Sequence, residues 1–171
     1  MALYAKPEPD FIHTFPDILA PFVPTPPDVV ERMLLLAGTG GDDFVFDLGS
    51  GDGRILIAAA AKYGAKGFGV DVVPYWINEA EEKAKESGVD HLVSFKLQDA
   101  ATVDLSPASI IMLYLVQWSN DRMKQRILSQ TKPGTRIVSH TFHLTDWAPK
   151  KVEEFADSEG VQRRLFLWVK E

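Results

Sequence analysis

A strand, an acidic residue, a glycine-rich turn and a helix follow one another without interruption in the first third of the chain. The apolar run Phe44-Val45-Phe46 is short and continuous, which is typical of a strand buried on both faces of a parallel sheet. Asp47 and the turn Gly49-Ser50-Gly51-Asp52-Gly53 follow. The alanine-rich run that begins at Arg54 then predicts a helix ending at Gly64. This order of elements restricts the chain to folds of the α/β class.

Strand and helix patterns continue to alternate after this unit, which predicts a mostly parallel sheet covered by helices. Two extended segments near the end, joined by residues 157–160, predict an antiparallel C-terminal hairpin. On one predicted helix, Glu79 and Lys83 have the spacing of an exposed ion pair. The predicted strands are residues 44–46, 67–70, 92–97, 110–116, 136–142, 151–156 and 162–170, and the predicted helices after the glycine turn are residues 54–63, 74–87 and 119–130.

The segment Thr25-Pro26-Pro27-Asp28 carries the signals of a helix start. Thr25 is the expected cap, Pro26 the first helical residue, and Asp28 the second partner of a capping box. Apolar residues at helical spacing follow as far as Gly38, where we expect the helix to end. The length of 171 residues suits one domain. We therefore divide the chain into a proline-rich N-terminal arm, residues 1–24, and a single domain, residues 25–171.

Composition excludes several classes of function. The chain has no cysteine, which rules out disulfides, thiolate nucleophiles and cysteine-bound zinc. Its 24 acidic and 18 basic residues give a formal charge of −6, which argues against a generally basic surface for nucleic acid. No apolar run approaches the ~18 residues of a membrane span, and no signal peptide is visible. We expect a cytoplasmic protein without a nucleic-acid or membrane partner, and the oligomeric state stays open.

The glycine turn suits a small ligand that carries charges of both signs. Glycines let the backbone bend tightly and approach a ligand, and the free N–H groups at a helix start attract a carboxylate or phosphate. Asp47, directly before the turn, favours a cation. The G-x-G-x-G spacing also differs from the G-x-G-x-x-G dinucleotide fingerprint. S-adenosylmethionine has an ammonium, a carboxylate and a sulfonium, and it matches both features. A plain turn between strand and helix is the alternative.

Acidic residues end the next two strands as well. Asp71 ends the second strand, where a carboxylate can accept hydrogen bonds from both hydroxyls of a ribose. Asp99 follows the third strand and can accept from the adenine amino group, with the backbone N–H of Ala100 donating to the ring. Ligands of such sheets bind at the carboxyl ends of the strands, so these residues predict one nucleoside site. An acid that only caps the turn after its strand is the alternative for Asp71.

With these residues the sequence resembles the class I S-adenosylmethionine-dependent methyltransferases, and among them the archaeal broad-specificity protein lysine methyltransferases and the related ATP synthase c-subunit lysine methyltransferases. The glycine motif is common to the superfamily. The Val-Pro-Thr-Pro sequence before the first helix and the Ser-His-x-Phe end of the fifth strand are more specific. The resemblance implies a Rossmann-like fold with seven strands and S-adenosylmethionine as cofactor. The segments that carry it are residues 22–26, 47–55, 104–106, 132–140 and 147–149.

The resemblance also implies roles for individual residues at the cofactor. The Val-Pro-Thr-Pro segment folds over the methionine end, which makes Val23 and Thr25 cofactor contacts. Asp71 binds the ribose, and Asp99 and Ala100 frame the adenine. The residues implied at the amino-acid end of the cofactor are Asp47, Gly49, Ser50, Gly51 and Gly53.

The sequence defines the residues that would bind the methyl acceptor less clearly than those that would bind the cofactor. The resemblance implies a lysine side chain of a protein as substrate. An aromatic, partly polar channel for that side chain is expected, and Tyr114 and His140 are the candidate catalytic residues among those that would line it. The other candidates for its lining are Trp118, Phe142 and Trp147. A buried structural role is the alternative for His140. His143 would point to the opposite face of the strand from His140, so no metal site is predicted. Where the relatives read roughly Phe-Leu-Leu-Thr-Asn after the central strand, this chain has Tyr114-Leu115-Val116-Gln117-Trp118, which suggests a different choice of acceptor.

Two other functions stay open at this point. The first is a methyltransferase acting on a small-molecule amine, thiol or oxyanion, and label transferred only to small molecules would favour it. The second is a module that binds S-adenosylmethionine without turnover. Methylation of nucleic-acid amines is disfavoured because the chain lacks the Asn/Asp-Pro-Pro-aromatic turn that such enzymes carry after the fourth strand.

Overall fold

The computed structural model describes residues 22–171, so most of the predicted N-terminal arm lies outside the described residues. Within this part, helices and strands alternate as the sequence predicts. The helices are α1 (Pro27–Leu36), α2 (Arg54–Tyr63), α3 (Pro74–Glu86) and α4 (Gln117–Gln130). The strands are β1 (Phe44–Leu48), β2 (Lys66–Asp71), β3 (Val93–Leu97), β4 (Ile110–Leu113), β5 (Arg136–His140), β6 (Lys151–Ala156) and β7 (Gln162–Val169). A 3₁₀ helix, Ala100–Thr102, follows β3.

The seven strands form one sheet in the order β3-β2-β1-β4-β5-β7-β6. Strands β1 to β5 are parallel, whereas β7 runs antiparallel to β5 and β6 antiparallel to β7. The prediction of a mostly parallel α/β sheet with a C-terminal antiparallel hairpin is confirmed. The strand order reverses between β1 and β4. This reversal is where open sheets of this kind place their ligands, at the carboxyl ends of the strands.

The core has two apolar clusters, and β1 contributes to both. Val45 belongs to the cluster that includes α1 and α2, whereas Phe46 belongs to the cluster that includes α4. Successive side chains of a strand point to opposite faces, so the two clusters lie on opposite faces of the sheet. Trp168 of β7 is fully buried, and its indole N–H donates to the carbonyl of Trp147 at 2.7 Å. The hairpin is therefore part of the core.

The predicted capping box of the first helix is wrong. The helix begins at Pro27, the cap position belongs to Pro26, and no side chain bonds to the cap. The Asp28 carboxylate instead accepts a hydrogen bond from the backbone N–H of Ser158, 130 residues away. The carbonyl of Thr25 accepts from Arg54. A long-range partner has therefore taken the Asp28 carboxylate that the local pattern assigned to the capping box. The predicted apolar stripe and the stop at Gly38, with φ of 63°, are confirmed.

Two predicted strands end earlier than the apolar pattern indicates. Strand β4 stops at Leu113, the last residue that pairs with both β1 and β5, and α4 starts at Gln117 rather than at residue 119. Strand β5 stops at His140 because the N–H of Phe142 donates to the carbonyl of His140 at 2.9 Å. That bond closes a γ-turn around Thr141, whose φ is 72°. The remaining element bounds differ from the predictions by two residues or fewer.

No helix within residues 22–171 combines the length and the apolar character needed to cross a bilayer.

Candidate functional site

The glycine turn is fixed to the neighbouring strand by its backbone. The N–H groups of Gly49 and Ser50 both donate to the carbonyl of Val70 in β2, at 2.9 and 2.8 Å. Gly49, Gly51 and Gly53 have φ values of 91°, 51° and 78°, a region that other residues rarely adopt. The turn therefore has one defined conformation at the carboxyl end of β1, as the sequence predicts.

Asp47, the last but one residue of β1, is a buried carboxylate without a positive partner. Only 4% of its surface is exposed, and none of the hydrogen bonds within residues 22–171 involves its carboxylate. Burial raises its pKa well above the usual value, and the charges of Asp71 and Asp52 raise it further. A carboxylate in such surroundings gains most from a bound cation.

Asp71 ends β2 and faces the same turn. One of its carboxylate oxygens accepts from the backbone N–H of Gly51 and the other from that of Val73, both at 3.0 Å. Burial raises the pKa of Asp71, and these backbone hydrogen bonds oppose that rise. Asp71 therefore caps the turn after its strand, which was the alternative to ribose binding in the sequence analysis. Each of its oxygens still has a lone pair that can accept a hydrogen bond from a ligand.

Asp99 and Ala100 lie beside Asp71 at the same edge of the sheet. The register pairs Asp71 with Leu97, and the backbone N–H of Gln98 donates to the carbonyl of Asp71. One oxygen of Asp99 accepts from the N–H of Ala101 at 2.8 Å and caps the 3₁₀ helix. Ala100 is buried in the core cluster around α4. The structure thus brings the predicted ribose and adenine residues together.

The segment 22–26, which we call the strap, crosses the glycine turn. The ring of Phe22 stacks on Trp76 with centroids 3.8 Å apart, and a Cβ built on Gly51 would overlap that ring. Val23 is 50% exposed, whereas Thr25 is buried. The strap therefore places both predicted cofactor contacts next to the turn.

Tyr114 and His140, the candidate catalytic residues, pack against each other at the ends of β4 and β5, with their ring planes tilted by 32°. Their ring centroids are 4.1 Å apart. His140 is fully buried, and neither ring nitrogen has a hydrogen-bond partner. Burial and the positive charge of Arg163 lower its pKa to about 4, with Asp157 acting in the opposite direction. His140 is therefore neutral near pH 7, and a ligand would meet the partly exposed Tyr114 first.

Gln117 and Trp118, which differ from the residues of the relatives at these positions, are the first two residues of α4. The Gln117 amide donates to the carbonyl of His143 at 2.9 Å and to the Asp121 carboxylate. It thereby ties the loop after β5 to the helix. Trp118 is 54% exposed, which is unusual for so large an apolar ring. Gln117 thus has a structural role, and Trp118 is free to contact a partner.

Two features of the site escaped the sequence analysis. Asp52, inside the glycine turn, is 3% exposed and binds both Arg54 and Lys83, at 2.7 Å in each case. Lys83 therefore pairs with Asp52 and not with Glu79 as predicted. Asn120 is fully buried and donates to Ser139 and to the carbonyl of Phe142, which fixes the γ-turn after β5. The signal for Asp52 was its position two residues before Arg54 in the motif.

The residues at this edge fit the S-adenosylmethionine predicted from the sequence. The buried carboxylate of Asp47 fits the ammonium of the cofactor, and Asp71 at the end of β2 fits the ribose hydroxyls. The hydroxyl of Ser50 is buried without a hydrogen-bond partner. The start of α2 is less open to an anion than expected, because Asp52 accepts hydrogen bonds from Arg54 there. Among residues 22–171, no group of three His, Asp or Glu side chains is placed to hold a metal.

Comparison with known proteins connects this geometry to a family. The family model described as the ANTKMT methyltransferase domain matches residues 47–151. A protein-lysine N-methyltransferase of Saccharolobus islandicus is 38% identical over 150 residues, which are 87% of this chain and 92% of that protein. The ATP synthase c-subunit lysine N-methyltransferase of Xenopus laevis is 28% identical over 154 residues, which are 89% of this chain but 66% of that protein.

Among solved structures, a crystal structure described as an RNA methyltransferase from Salinibacter ruber in complex with S-adenosyl-L-homocysteine superposes with a TM-score of 0.81. It is 41% identical, and the match covers 86% of this chain and 93% of that one. The match confirms the predicted class I methyltransferase fold. The chain therefore belongs to the ANTKMT methyltransferase-domain family and is an S-adenosylmethionine-dependent methyltransferase.

Proposed function

We propose that this protein transfers a methyl group from S-adenosylmethionine to the side-chain amine of lysine in a protein acceptor. The observation that carries the proposal is the 38% identity to the Saccharolobus protein-lysine N-methyltransferase over almost the full length of both chains. The match covers only 66% of the Xenopus protein, so the acceptor named for that enzyme is not transferred to this chain.

The cofactor site is assigned to the residues around the glycine turn. Asp47 would bind the cofactor ammonium, Asp71 the ribose hydroxyls and Asp99 the adenine amino group. The backbone of Gly49, Ser50, Gly51 and Gly53 would follow the amino-acid end, covered by Val23 and Thr25 of the strap. The Ala100 N–H would donate to the adenine ring. When bound, S-adenosylmethionine supplies a methyl group on a sulfonium, which leaves as a neutral thioether and needs no acid.

The acceptor amine must lose its proton before it reacts. Free lysine has a pKa of about 10.4, so only ~0.04% of it is neutral at pH 7. Burial of the amine next to the Tyr114 ring would lower that pKa, because desolvation disfavours the charged form. His140, with a pKa of about 4, is too weak a base to keep the proton. Tyr114 would therefore line the acceptor channel, His140 would support the Tyr114 ring, and the proton would leave to water.

Methylation of RNA is the second candidate function, because the Salinibacter structure is described as an RNA methyltransferase. The formal charge of −6 and the lack of an Asn/Asp-Pro-Pro-aromatic turn after β4 favour protein over RNA. The two acceptors differ in a directly measurable way, since one product is sensitive to protease and the other to ribonuclease.

The test is transfer of labelled methyl groups from S-adenosylmethionine into a whole-cell extract. We expect label that survives ribonuclease, disappears with protease, and is found as methyl-lysine by mass spectrometry of the peptides. The matched control is Asp47→Asn, which keeps the side-chain shape, removes the charge and should abolish labelling. Label in RNA, or only in small molecules, would overturn the lysine proposal and leave the cofactor site standing. Binding of S-adenosylmethionine with no labelled product would identify a module without turnover.

A further inference from the structure

One guanidinium connects the glycine turn to the strap. Arg54 Nε donates to Asp52 Oδ1 at 2.9 Å, and Arg54 Nη2 donates to Asp52 Oδ2 at 2.7 Å. The remaining nitrogen, Nη1, donates to the carbonyl oxygen of Thr25 at 2.9 Å. A planar fork with several donors can hold a carboxylate at two points and still reach a third acceptor, whereas an ammonium cannot reproduce that geometry.

Asp52 has a second cation that does not reach the strap. Lys83 Nζ, from α3, lies 2.7 Å from Asp52 Oδ2, and Asp52 is its only hydrogen-bond partner within residues 22–171. Burial raises the pKa of Asp52, but the hydrogen bonds and charges of Arg54 and Lys83 outweigh it and lower the pKa to about 2. Arg54 and Lys83 therefore neutralise the same carboxylate, and Arg54 alone of the two bonds to the strap.

The strap has a second attachment at Phe22. Its ring lies against Gly51 and stacks on Trp76 of α3. Thr25 is buried, yet the strap has no regular secondary structure to hold it in place. The strap is thus held at both ends, by Arg54 at the Thr25 carbonyl and by Trp76 and Gly51 at the Phe22 ring.

We propose that Arg54 is a positioning residue, which holds the strap across the cofactor site through the carbonyl of Thr25. This inference rests on the cofactor site proposed above. Arg54 need not touch the cofactor or the acceptor. Without the guanidinium of Arg54, the strap loses one attachment. The free energy needed to order the strap then reduces the free energy of cofactor binding. Cofactor binding should then weaken more than the chemical step slows.

The experiment compares Arg54→Gln with Lys83→Gln in the full chain. Each variant removes one cation from Asp52, but only the first removes the bond to Thr25. Hydrogen bonds to charged groups contribute about 1.5–3 kcal/mol, so we expect Arg54→Gln to raise the Kd for S-adenosylhomocysteine and the KM for S-adenosylmethionine by about ten- to a hundredfold. We expect a change of less than about threefold in kcat, and similarly small effects from Lys83→Gln.

Cleavage of the peptide bond between Phe22 and Val23 by chymotrypsin reports on the strap itself, because the Phe22 ring packs on Trp76 and the strap is held through Thr25. Cleavage should become faster in Arg54→Gln and stay unchanged in Lys83→Gln. Arg54→Lys keeps a positive charge beside Asp52 and tests the attachment should Arg54→Gln not fold, and its cleavage should also be faster. Equal loss of binding in the Arg54 and Lys83 variants, or unchanged cleavage without Arg54, would overturn the proposal. The Kd for S-adenosylhomocysteine and the state of the strap are both measured without an acceptor, so a wrong acceptor assignment leaves these two measurements valid. Failure of the wild type to bind S-adenosylhomocysteine would instead refute the cofactor site and this inference with it.

Discussion

Asp47 and Asp52 are only five residues apart in the sequence, but they have different roles because their surroundings differ. Burial and neighbouring carboxylates raise the pKa of Asp47, whereas Arg54 and Lys83 overcome burial and lower that of Asp52 to about 2. The charge of Asp52 is therefore balanced by Arg54 and Lys83, and its role is structural. Asp47 is left without a cation, which is the condition expected of a ligand-binding carboxylate and not of a group that stabilises the fold.

Replacement of Asp47 by Asn should stabilise the free protein and weaken cofactor binding. The variant removes an unpaired buried charge, so we expect the free energy of unfolding at pH 7 to rise by about 0.5–2 kcal/mol. The Kd for S-adenosylhomocysteine should rise at least about thirtyfold, because the ligand ammonium loses its partner. Urea unfolding and titration calorimetry measure the two effects. A variant that is less stable and still binds normally would assign Asp47 to the fold.

His140 should make the protein sensitive to mild acid. Its pKa is about 4 in the folded protein and about 6.5 unfolded. The unfolded chain therefore gains a proton first as pH falls, and stability is lost between about pH 6.5 and 4. Compared with His140→Phe, the wild type should lose roughly 2–4 kcal/mol between pH 7 and 4. Thermal or urea unfolding of both proteins across this range measures the difference. A constant difference between them would show that His140 is not buried as a neutral ring.

At the scale of elements, the loop after β5 has the most unusual backbone near the site. Thr141 is β-branched and has φ of 72°, in a three-residue turn closed from His140 to Phe142. Hydrogen bonds from Ser139 and Asn120 to the carbonyl of Phe142, at 2.5 and 3.2 Å, hold that turn in place. Local backbone strain of this kind persists only where the surroundings impose it, and here it lies directly after the candidate catalytic histidine.

Replacement of Thr141 by Gly should stabilise the protein. The Thr141 side chain is exposed, so little packing is lost, and its N–H would still donate to the carbonyl of Arg164. Glycine removes the steric cost of positive φ, which is of order 1–3 kcal/mol, but it adds roughly 0.5–1 kcal/mol of unfolded-state entropy. We expect a net gain of about 1 kcal/mol by urea unfolding. Thr141→Ala should gain clearly less, and an equal gain in both variants would show that the backbone is not strained.

The elements themselves were predictable from local pattern, whereas the ends of strands β4 and β5 were not. Helix α2 runs from Arg54 to Tyr63 as predicted, because its glycine neighbours and apolar period are local signals. Strands β4 and β5 end where pairing and the γ-turn end, and their apolar runs continue past those points. The capping box failed because Asp28 found a partner 130 residues away. Single-sequence patterns contain no information about such contacts.

At the scale of the molecule, the sheet brings together residues that are far apart in the chain. Asp47, Asp71 and Asp99 lie at the carboxyl ends of β1, β2 and β3. The sequence placed them at one edge, because neighbouring parallel strands have their carboxyl ends on the same side of the sheet. The tie between Arg54 and Thr25, across 29 residues, and that between Lys83 and Asp52, across 31, were not predicted. They depend on the packing of α3 and the strap against the turn, which local periodicity does not specify.

Binding of the cofactor product should stabilise the whole molecule. A hundredfold excess of S-adenosylhomocysteine over its Kd contributes about 2.7 kcal/mol, which is roughly 5–11 °C in Tm for a chain of this size. A bound ammonium favours the charged form of Asp47, so binding releases a proton wherever Asp47 is protonated in the free protein. The shift in Tm should therefore be smaller at acidic pH than at pH 8. An equal shift at both pH values would contradict the role given to Asp47.

The most direct test of the central claim is a crystal structure of this protein with S-adenosyl-L-homocysteine. The account predicts that the ligand ammonium lies within hydrogen-bond distance of the Asp47 carboxylate, its amino-acid end follows the turn from Gly49 to Gly53, and its ribose bonds to Asp71. A ligand bound elsewhere on the sheet, or in this place with its ammonium away from Asp47, would contradict it.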